Sequence, residues 1–161
     1  MRSSRNCRPN DGATVAGVPV SVCLSASLAL HGAVLVYAGP GGAAWRLELD
    51  SIRVLGEFAV AGSGEDLLLA FCVDADGAWF QAPRNAIGAD TALAALGARL
   101  GEQIIPRLDN VTPRASRVLW PATLAGQPLF EFRAGRPRVS PQVTDYLARV
   151  SGAAAQRGGR A

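Results

Sequence analysis

The chain of 161 residues contains no lysine, so all sixteen of its basic residues are arginine. It has one histidine, one methionine and three cysteines. A catalytic histidine would therefore have to be His31, which stands beside a glycine in a turn-like position where a side chain is usually exposed. From this composition we expect no catalytic residue, no bound metal and no cofactor.

The three cysteines, Cys7, Cys23 and Cys72, are an odd number with wide spacing. They match neither a zinc site nor a disulfide framework. Cys23 and Cys72 lie in apolar runs, where a reduced cysteine packs as a small hydrophobic side chain. Unpaired thiols are typical of a reducing compartment, so we expect a cytoplasmic location.

Apolar residues make up 49% of the chain and charged residues 18%, which indicates a folded domain rather than a disordered chain. The length fits one domain, or one domain with an extension. The exclusive use of arginine, with abundant alanine and glycine, is most simply explained by a GC-rich bacterial genome. The charge is nevertheless uneven, with a net charge of −3 over residues 1–105 and of +6 over residues 106–161.

No charged residue occurs between Val15 and Ala44, and Arg2, Arg5 and Arg8 precede this stretch. The arrangement superficially resembles a signal peptide or a membrane anchor. The apolar side chains over residues 20–28 alternate with serine, cysteine and alanine, however, and a period of two is typical of a strand with one buried face. We therefore expect a strand here and no transmembrane segment.

Six or seven antiparallel strands are predicted before a single closing helix. A change in apolar phase near Asp50–Ser51 separates two of them, and Gly62–Gly64 and Asp74–Gly77 provide turns. The run at Leu67–Val73 is apolar on both faces, as in a central strand covered on each side. The predicted strands are about Val18–Leu30, Ala33–Tyr37, Trp45–Leu49, Ile52–Val60, Leu67–Val73 and Ala78–Ala82.

An amphipathic helix is predicted from about Asp90 to Ile105, with Asp90 or Thr91 as its N-cap and Pro106 as its stop. Apolar residues three and four apart share one of its faces, which would pack on the strands. The expected organisation is a flexible arm over residues 1–14, a barrel with its helix over 15–106, a basic extension over 107–150, and a disordered tail over 151–161. Within the extension we predict a hairpin of Arg117–Thr123 with Pro128–Arg133, and a helix at Pro141–Val150 capped by Ser140.

The run from Leu28 to Leu100 resembles the pleckstrin-homology-like superfold, including its bacterial and GRAM-type branches. The resemblance rests on Leu47–Ile52, the next apolar strand, the hairpin at Asp76–Gly77 and the helix Ala92–Leu100. It implies a small β-barrel or sandwich that binds lipid headgroups, peptides or partner proteins on loops and strand edges. The phosphoinositide-binding loop of some family members would fall at Leu30–Ala33, which has no basic residue, so phosphoinositide binding is not expected.

Basic and aromatic residues alternate in the C-terminal extension. Guanidinium groups form bidentate bonds to phosphate or carboxylate, and aromatic rings between them suit nucleic acid or an acidic protein surface. Two other interpretations stay open: a solvated arginine face with its aromatics in the core, and docking against the more acidic part of a neighbouring subunit. The candidate anion- or partner-binding residues are Arg107, Arg114, Arg117, Trp120, Arg133, Arg136 and Arg138.

The sequence therefore predicts a mainly β, α+β protein that acts as a non-enzymatic binding or interaction module of unknown specificity. A protein partner or self-association is expected. One alternative is a binder of nucleic acid or an anionic surface through the arginine-rich segment. A second is a small-ligand carrier or enzyme that uses the barrel cavity.

Overall fold

In the residues that the structure describes, the protein is mainly β, with two α-helices. A computed structural model describes residues 14–15, 18–19, 25–60, 67–74, 76, 78–108 and 114–158. The elements in chain order are β1 Thr14–Val15, β2 Val18–Pro19, β3 Ser27–His31, β4 Val34–Ala38, β5 Ala44–Glu48, β6 Val54–Ala59, β7 Leu67–Cys72, β8 Trp79–Pro83, α1 Ala89–Leu100, β9 Ser116–Trp120, β10 Phe130–Arg133, β11 Arg136–Val139 and α2 Pro141–Gly158.

Strands β3, β4 and β5 form an antiparallel sheet of three strands in sequence order. The predicted turn at His31–Gly32 is present, because Gly32 has a φ of 61°, which a glycine adopts at little cost. The first predicted strand is shorter than expected, since β3 begins at Ser27, and residues 20–24 lie outside the described part of the chain. A single 3₁₀ turn at Leu49–Ser51 separates β5 from β6, where the change in apolar phase predicted a break.

The second sheet has four antiparallel strands in the order β8-β7-β6-β9. Its β7 strand is central, as its apolar faces predicted, and pairs with β6 on one side and β8 on the other. The fourth strand, β9, comes from the C-terminal extension and pairs with β6. The extension is thus continuous with the main sheet. The predicted turn at Gly62–Gly64 lies outside the described residues.

Two hydrophobic cores lie on opposite faces of this four-stranded sheet. Alternation along β6 and β7 divides their side chains, because successive residues of a strand point to opposite faces. Leu55, Leu69 and Phe71 belong to a core shared with the three-stranded sheet and α1. Phe58 and Cys72 belong to a second core shared with β10 and α2. The sheet is therefore the middle layer of the protein, and in the described part of the chain no ladder closes the strands into a barrel.

Helix α1 packs on β3 but ends earlier than predicted. Leu93 and Leu96 are buried, as the apolar spacing indicated, but the helix stops at Leu100 rather than Ile105. Gly101 adopts a left-handed φ of 72° and closes the helix, so Pro106 is not its stop. The prediction of a side-chain N-cap is also wrong, because the N-cap is Gly88 with a φ of 82° and no side-chain hydrogen bond.

The predicted C-terminal hairpin pairs differently. Strand β9 forms its ladder with β6, while β10 pairs with β11 around a turn at Ala134–Gly135. Within the first predicted segment, the Val118 backbone instead exchanges hydrogen bonds with Gly126 and Gln127 of the predicted turn. The residues paired between β6 and β9 lie 58 to 65 positions apart, so no local sequence pattern signals this pairing.

Helix α2 begins at Pro141, as predicted, and its Val143 and Leu147 are buried. The hydroxyl of Ser140 donates to the carbonyl of Pro128 at 2.7 Å and does not cap the helix. The helix runs to Gly158, so it takes in most of the segment expected to be disordered. Neither helix in the described ranges is long and apolar enough to cross a bilayer.

Candidate functional site

The structure divides the seven candidate residues among four places. Three arginines lie together on one face of the β10–β11 hairpin, and two line a groove beside β9. One arginine lies over an aromatic ring, and the tryptophan packs against the first core. The hairpin arginines are Arg133, Arg136 and Arg138, and those in the groove are Arg107 and Arg117; the arginine over the ring is Arg114, and the tryptophan is Trp120.

The outward face of the hairpin is basic. In the ladder Glu131 lies opposite Arg138, and Arg133 opposite Arg136, while the intervening residues Phe130 and Phe132 pack on the second core. Because side chains alternate along a strand, all four charged side chains point away from that core. We call this surface the arginine face: Glu131, Arg133, Arg136 and Arg138.

One of these arginines is partly neutralised. Arg133 Nη2 lies 3.6 Å from Glu131 Oε2, and both side chains are largely exposed to solvent. Such a surface pair contributes little to stability. No carboxylate of the described residues lies within 4.0 Å of the Arg136 or Arg138 side chains, so neither forms an ion pair within that part of the chain.

The hairpin is fixed to the four-stranded sheet by a serine and an arginine. The Ser116 hydroxyl accepts a hydrogen bond from the Phe130 backbone N–H at 2.9 Å and donates to the Phe130 carbonyl at 3.0 Å. The guanidinium of Arg114 lies 6.0 Å from the centre of the Phe132 ring, at the outer limit of a cation–π contact. These contacts hold the arginine face at a defined position on the domain.

Arg107 and Arg117 line a groove of about 230 Å³ between β9, the segment that follows α1, and the loop after β9. The Arg117 side chain is half-buried and lies close to Gly126. A Cβ atom added to Gly126 would lie 3.7 Å from the Nη2 atom of Arg117. Gln103, Ile105 and Leu119 also line it. We call this feature the β9 groove.

Glu57 lies under this region and was not singled out from the sequence. It is fully buried in β6, where its Oε1 accepts hydrogen bonds from the backbone N–H groups of Arg107 at 2.6 Å and Leu108 at 2.8 Å. Its Oε2 lies 3.4 Å from Nη1 of Arg84, which also donates to the Leu108 carbonyl. In the sequence of β6, a glutamate between apolar residues is typical of a strand face exposed to solvent. Glu57 is buried because Arg84 and residues 107–108, which are distant in sequence, cover it.

Trp120 is half-buried against the first core and lies opposite Leu55 in the ladder between β6 and β9. It therefore lies on the sheet face opposite the hairpin and does not contribute to the arginine face. Tyr37, Trp45 and Phe71 form an aromatic cluster in the same core, with ring centres 5.3 to 5.6 Å apart. This part of the sequence prediction, which grouped Trp120 with the arginines, is not supported by their positions.

Cys72 is fully buried in β7. Burial raises the pKa of its thiol to about 12, and the nearby Asp74 carboxylate adds to the shift. The thiol is thus protonated at neutral pH and packs as an apolar group. The Asp74 side chain accepts a hydrogen bond from the Ala78 backbone N–H at 3.0 Å, which is the bonding of a turn.

Metal-ligand types do not converge anywhere in the described ranges: no group of three or more His, Cys, Asp or Glu side chains could hold an ion there. Comparison with known proteins found no match among family models, curated proteins or solved structures.

Proposed function

We propose that this protein is a non-enzymatic binding module that contacts an acidic protein surface through its arginine face. The observation that carries the proposal is the register of β10 with β11, which puts Arg133, Arg136 and Arg138 on one exposed surface with a single glutamate. Arginine forms bidentate bonds to carboxylates and loses little hydration on binding, so such a cluster suits an acidic partner.

The proposed scaffold is pleckstrin-homology-like in its order of elements. Two antiparallel sheets, β3-β4-β5 and β6-β7-β8, precede helix α1, which covers one side of the first sheet. Strand β9, the hairpin and α2 are additions to that plan, and they carry the arginine face. In this proposal the additions supply the contact surface, while the common part supplies a rigid support.

The aromatic side chains favour a protein partner over single-stranded nucleic acid. Binding of unpaired bases relies on exposed rings on which the bases stack. Phe130 is buried, Phe132 lies between the second core and the Arg114 guanidinium, and Trp120 packs on the other face of the sheet. The arginine face thus offers charge and hydrogen-bond donors, but no free ring beside them.

Binding of two anionic polymers tests the proposal. Fluorescence anisotropy with labelled poly-L-glutamate and with a single-stranded DNA oligonucleotide is measured between about 50 and about 200 mM salt. We expect the full chain to bind poly-L-glutamate, with affinity that falls as salt rises. Combined Arg133→Gln, Arg136→Gln and Arg138→Gln substitutions are expected to weaken this binding about tenfold or more.

The matched control removes three exposed arginines from other surfaces, with Arg46→Gln, Arg99→Gln and Arg149→Gln combined. Both triple variants have the same net charge, so only the position of the lost charges differs. If the control loses as much affinity as the arginine-face variant, net charge alone drives binding and the proposal is wrong. It is also wrong if DNA binds more tightly than poly-L-glutamate, since this outcome favours the nucleic-acid alternative.

A further inference from the structure

We infer that the β9 groove is a binding site for a phosphate monoester, held by the Arg107 and Arg117 guanidinium groups. The site is separate from the arginine face, because its residues lie on β9 and on the segment after α1 rather than on the hairpin. The inference therefore goes beyond the proposed function and does not depend on it.

The groove is concave and has donors at its wall. It has a volume of about 230 Å³, and its lining combines two arginines and Gln103 with the apolar side chains of Ile105 and Leu119. Sites for small ligands place a few converging polar groups beside apolar side chains. The surface of this groove is more polar than apolar, so it suits a small anionic group with limited apolar contact.

Both arginines have fixed backbones. Arg117 lies within β9, directly opposite Glu57 in the ladder with β6. The Arg107 backbone N–H donates to the buried carboxylate of the same Glu57. The Glu57 side chain thus anchors the Arg107 backbone, and the ladder with β6 anchors the Arg117 backbone, so both side chains extend from fixed points beside the groove.

The charge of the groove selects the class of anion. Among the described residues no carboxylate lies within 4.0 Å of either guanidinium group, and the described lining of the groove holds two positively charged side chains. A phosphate monoester carries a charge of about −1.5 to −2 near neutral pH, whereas a carboxylate carries −1. The monoester therefore matches both arginines, and its three terminal oxygens can accept hydrogen bonds from both.

The test is titration of the full chain with phenyl phosphate, inorganic phosphate and benzoate, followed by the NMR shifts of the Arg107 and Gly126 backbone amides. We expect saturable shifts with phenyl phosphate and weaker binding of benzoate. Arg107→Gln and Arg117→Gln should each weaken phenyl phosphate binding about tenfold or more. Arg117→Lys keeps the charge but loses the bidentate geometry, so it should also bind more weakly than the unchanged protein.

A change of pH separates the two anion classes. The second proton of a phosphate monoester binds with a pKa of about 6. Lowering the pH from about 7.5 to about 5.5 should therefore weaken phenyl phosphate binding several-fold, while benzoate, which stays ionised over this range, should bind with little change. Inorganic phosphate reports whether the apolar wall contributes, since it lacks the phenyl group.

Arg46→Gln is the matched control, because it removes an exposed arginine from β5, outside both the groove and the arginine face. Thermal unfolding of every variant shows whether the fold is retained. The inference is wrong if Arg46→Gln weakens binding as much as Arg117→Gln, if no saturable shift occurs at Gly126, or if benzoate binds as tightly as phenyl phosphate.

Discussion

The Oε1 atom of Glu57, at the centre of strand β6, lies 2.6 Å from the backbone nitrogen of Arg107, fifty residues later in the chain. The same oxygen accepts a second hydrogen bond from the Leu108 N–H, and Arg84 supplies the opposing charge. A carboxylate with no exposed surface is retained only where such partners replace its hydration. This glutamate therefore fixes the crossing from α1 to β9.

Glu57→Leu should lower the free energy of unfolding by about 3 to 5 kcal/mol, because it leaves two backbone N–H groups and Arg84 without their partner. Glu57→Gln, which keeps one acceptor oxygen, should cost less. The exposed Glu48→Gln is the control and should stay within about 0.5 kcal/mol. Chemical unfolding monitored by tryptophan fluorescence measures all three. Equal stability of Glu57→Leu and the control would contradict this role.

Leu96→Asp should be severely destabilising, since Leu96 is fully buried between α1 and the sheets. The substitution puts an unpaired charge in an apolar core, and we expect a loss of more than about 4 kcal/mol. Ala95→Asp, on the exposed side of the same helix, provides the control. Thermal melting by circular dichroism distinguishes them, and a Leu96→Asp protein that melts like the control would show that α1 does not dock as described.

Two helical glycines should respond to alanine in opposite directions. A Cβ at Gly97 in α1 would lie 2.5 Å from the Glu102 carbonyl oxygen, which is backbone and cannot easily move. A Cβ at Gly152 in α2 would meet no atom within 4 Å. Gly152→Ala should therefore stabilise the protein by about 0.5 to 1 kcal/mol through helix propensity.

Gly97→Ala has the same gain in propensity but must displace the segment after α1, so it should destabilise the protein. Parallel denaturant titrations measure both changes. A stabilising effect at Gly97 would mean that this segment is not packed against the helix as the structure has it.

Cys72 should be unreactive in the folded protein. Because burial raises the pKa of its thiol to about 12, almost no thiolate is present at about pH 8. In a protein with Cys7→Ser and Cys23→Ser, we expect a thiol-specific disulfide reagent to label Cys72 only after denaturant is added. The sign for stability follows from the same shift: ionisation is disfavoured in the folded state, so stability should fall as the pH rises from about 9 towards 12. Labelling of the native protein at the rate of a free thiol would contradict the burial.

Periodicity predicted the strands whose neighbours are close in sequence. The alternation at Trp45–Leu49 and the two-sided apolar run at Leu67–Val73 correspond to β5 and β7, because hairpin partners are set by nearby turns. The pairing of β9 with β6 was missed, since a contact across more than 55 residues has no local pattern. Helix α1 was predicted too long because Gly101 was not recognised as its end.

The candidate site was predicted in composition but not in arrangement. Six arginines of the basic segment do lie at or near the surface, yet three form the arginine face, two line the separate groove, and Arg114 lies over the Phe132 ring. Strand register decides that division, and register depends on tertiary packing. The sequence pattern could not predict the burial of Glu57, because this burial depends on two segments that lie later in the chain.

The addition of β9 to the edge of β6 has a consequence for biosynthesis. Until residues 116–120 leave the ribosome, β6 has an unpaired edge, and its second apolar face lacks the cover that the hairpin and α2 provide. The four-stranded sheet of the nascent chain is thus incomplete at a stage when most of its strands have already been synthesised. A truncated protein that ends at residue 106 would keep this open edge, which can pair with another copy. If such a protein failed to bind an anionic partner, the failure would reflect misassembly rather than the loss of a contact residue.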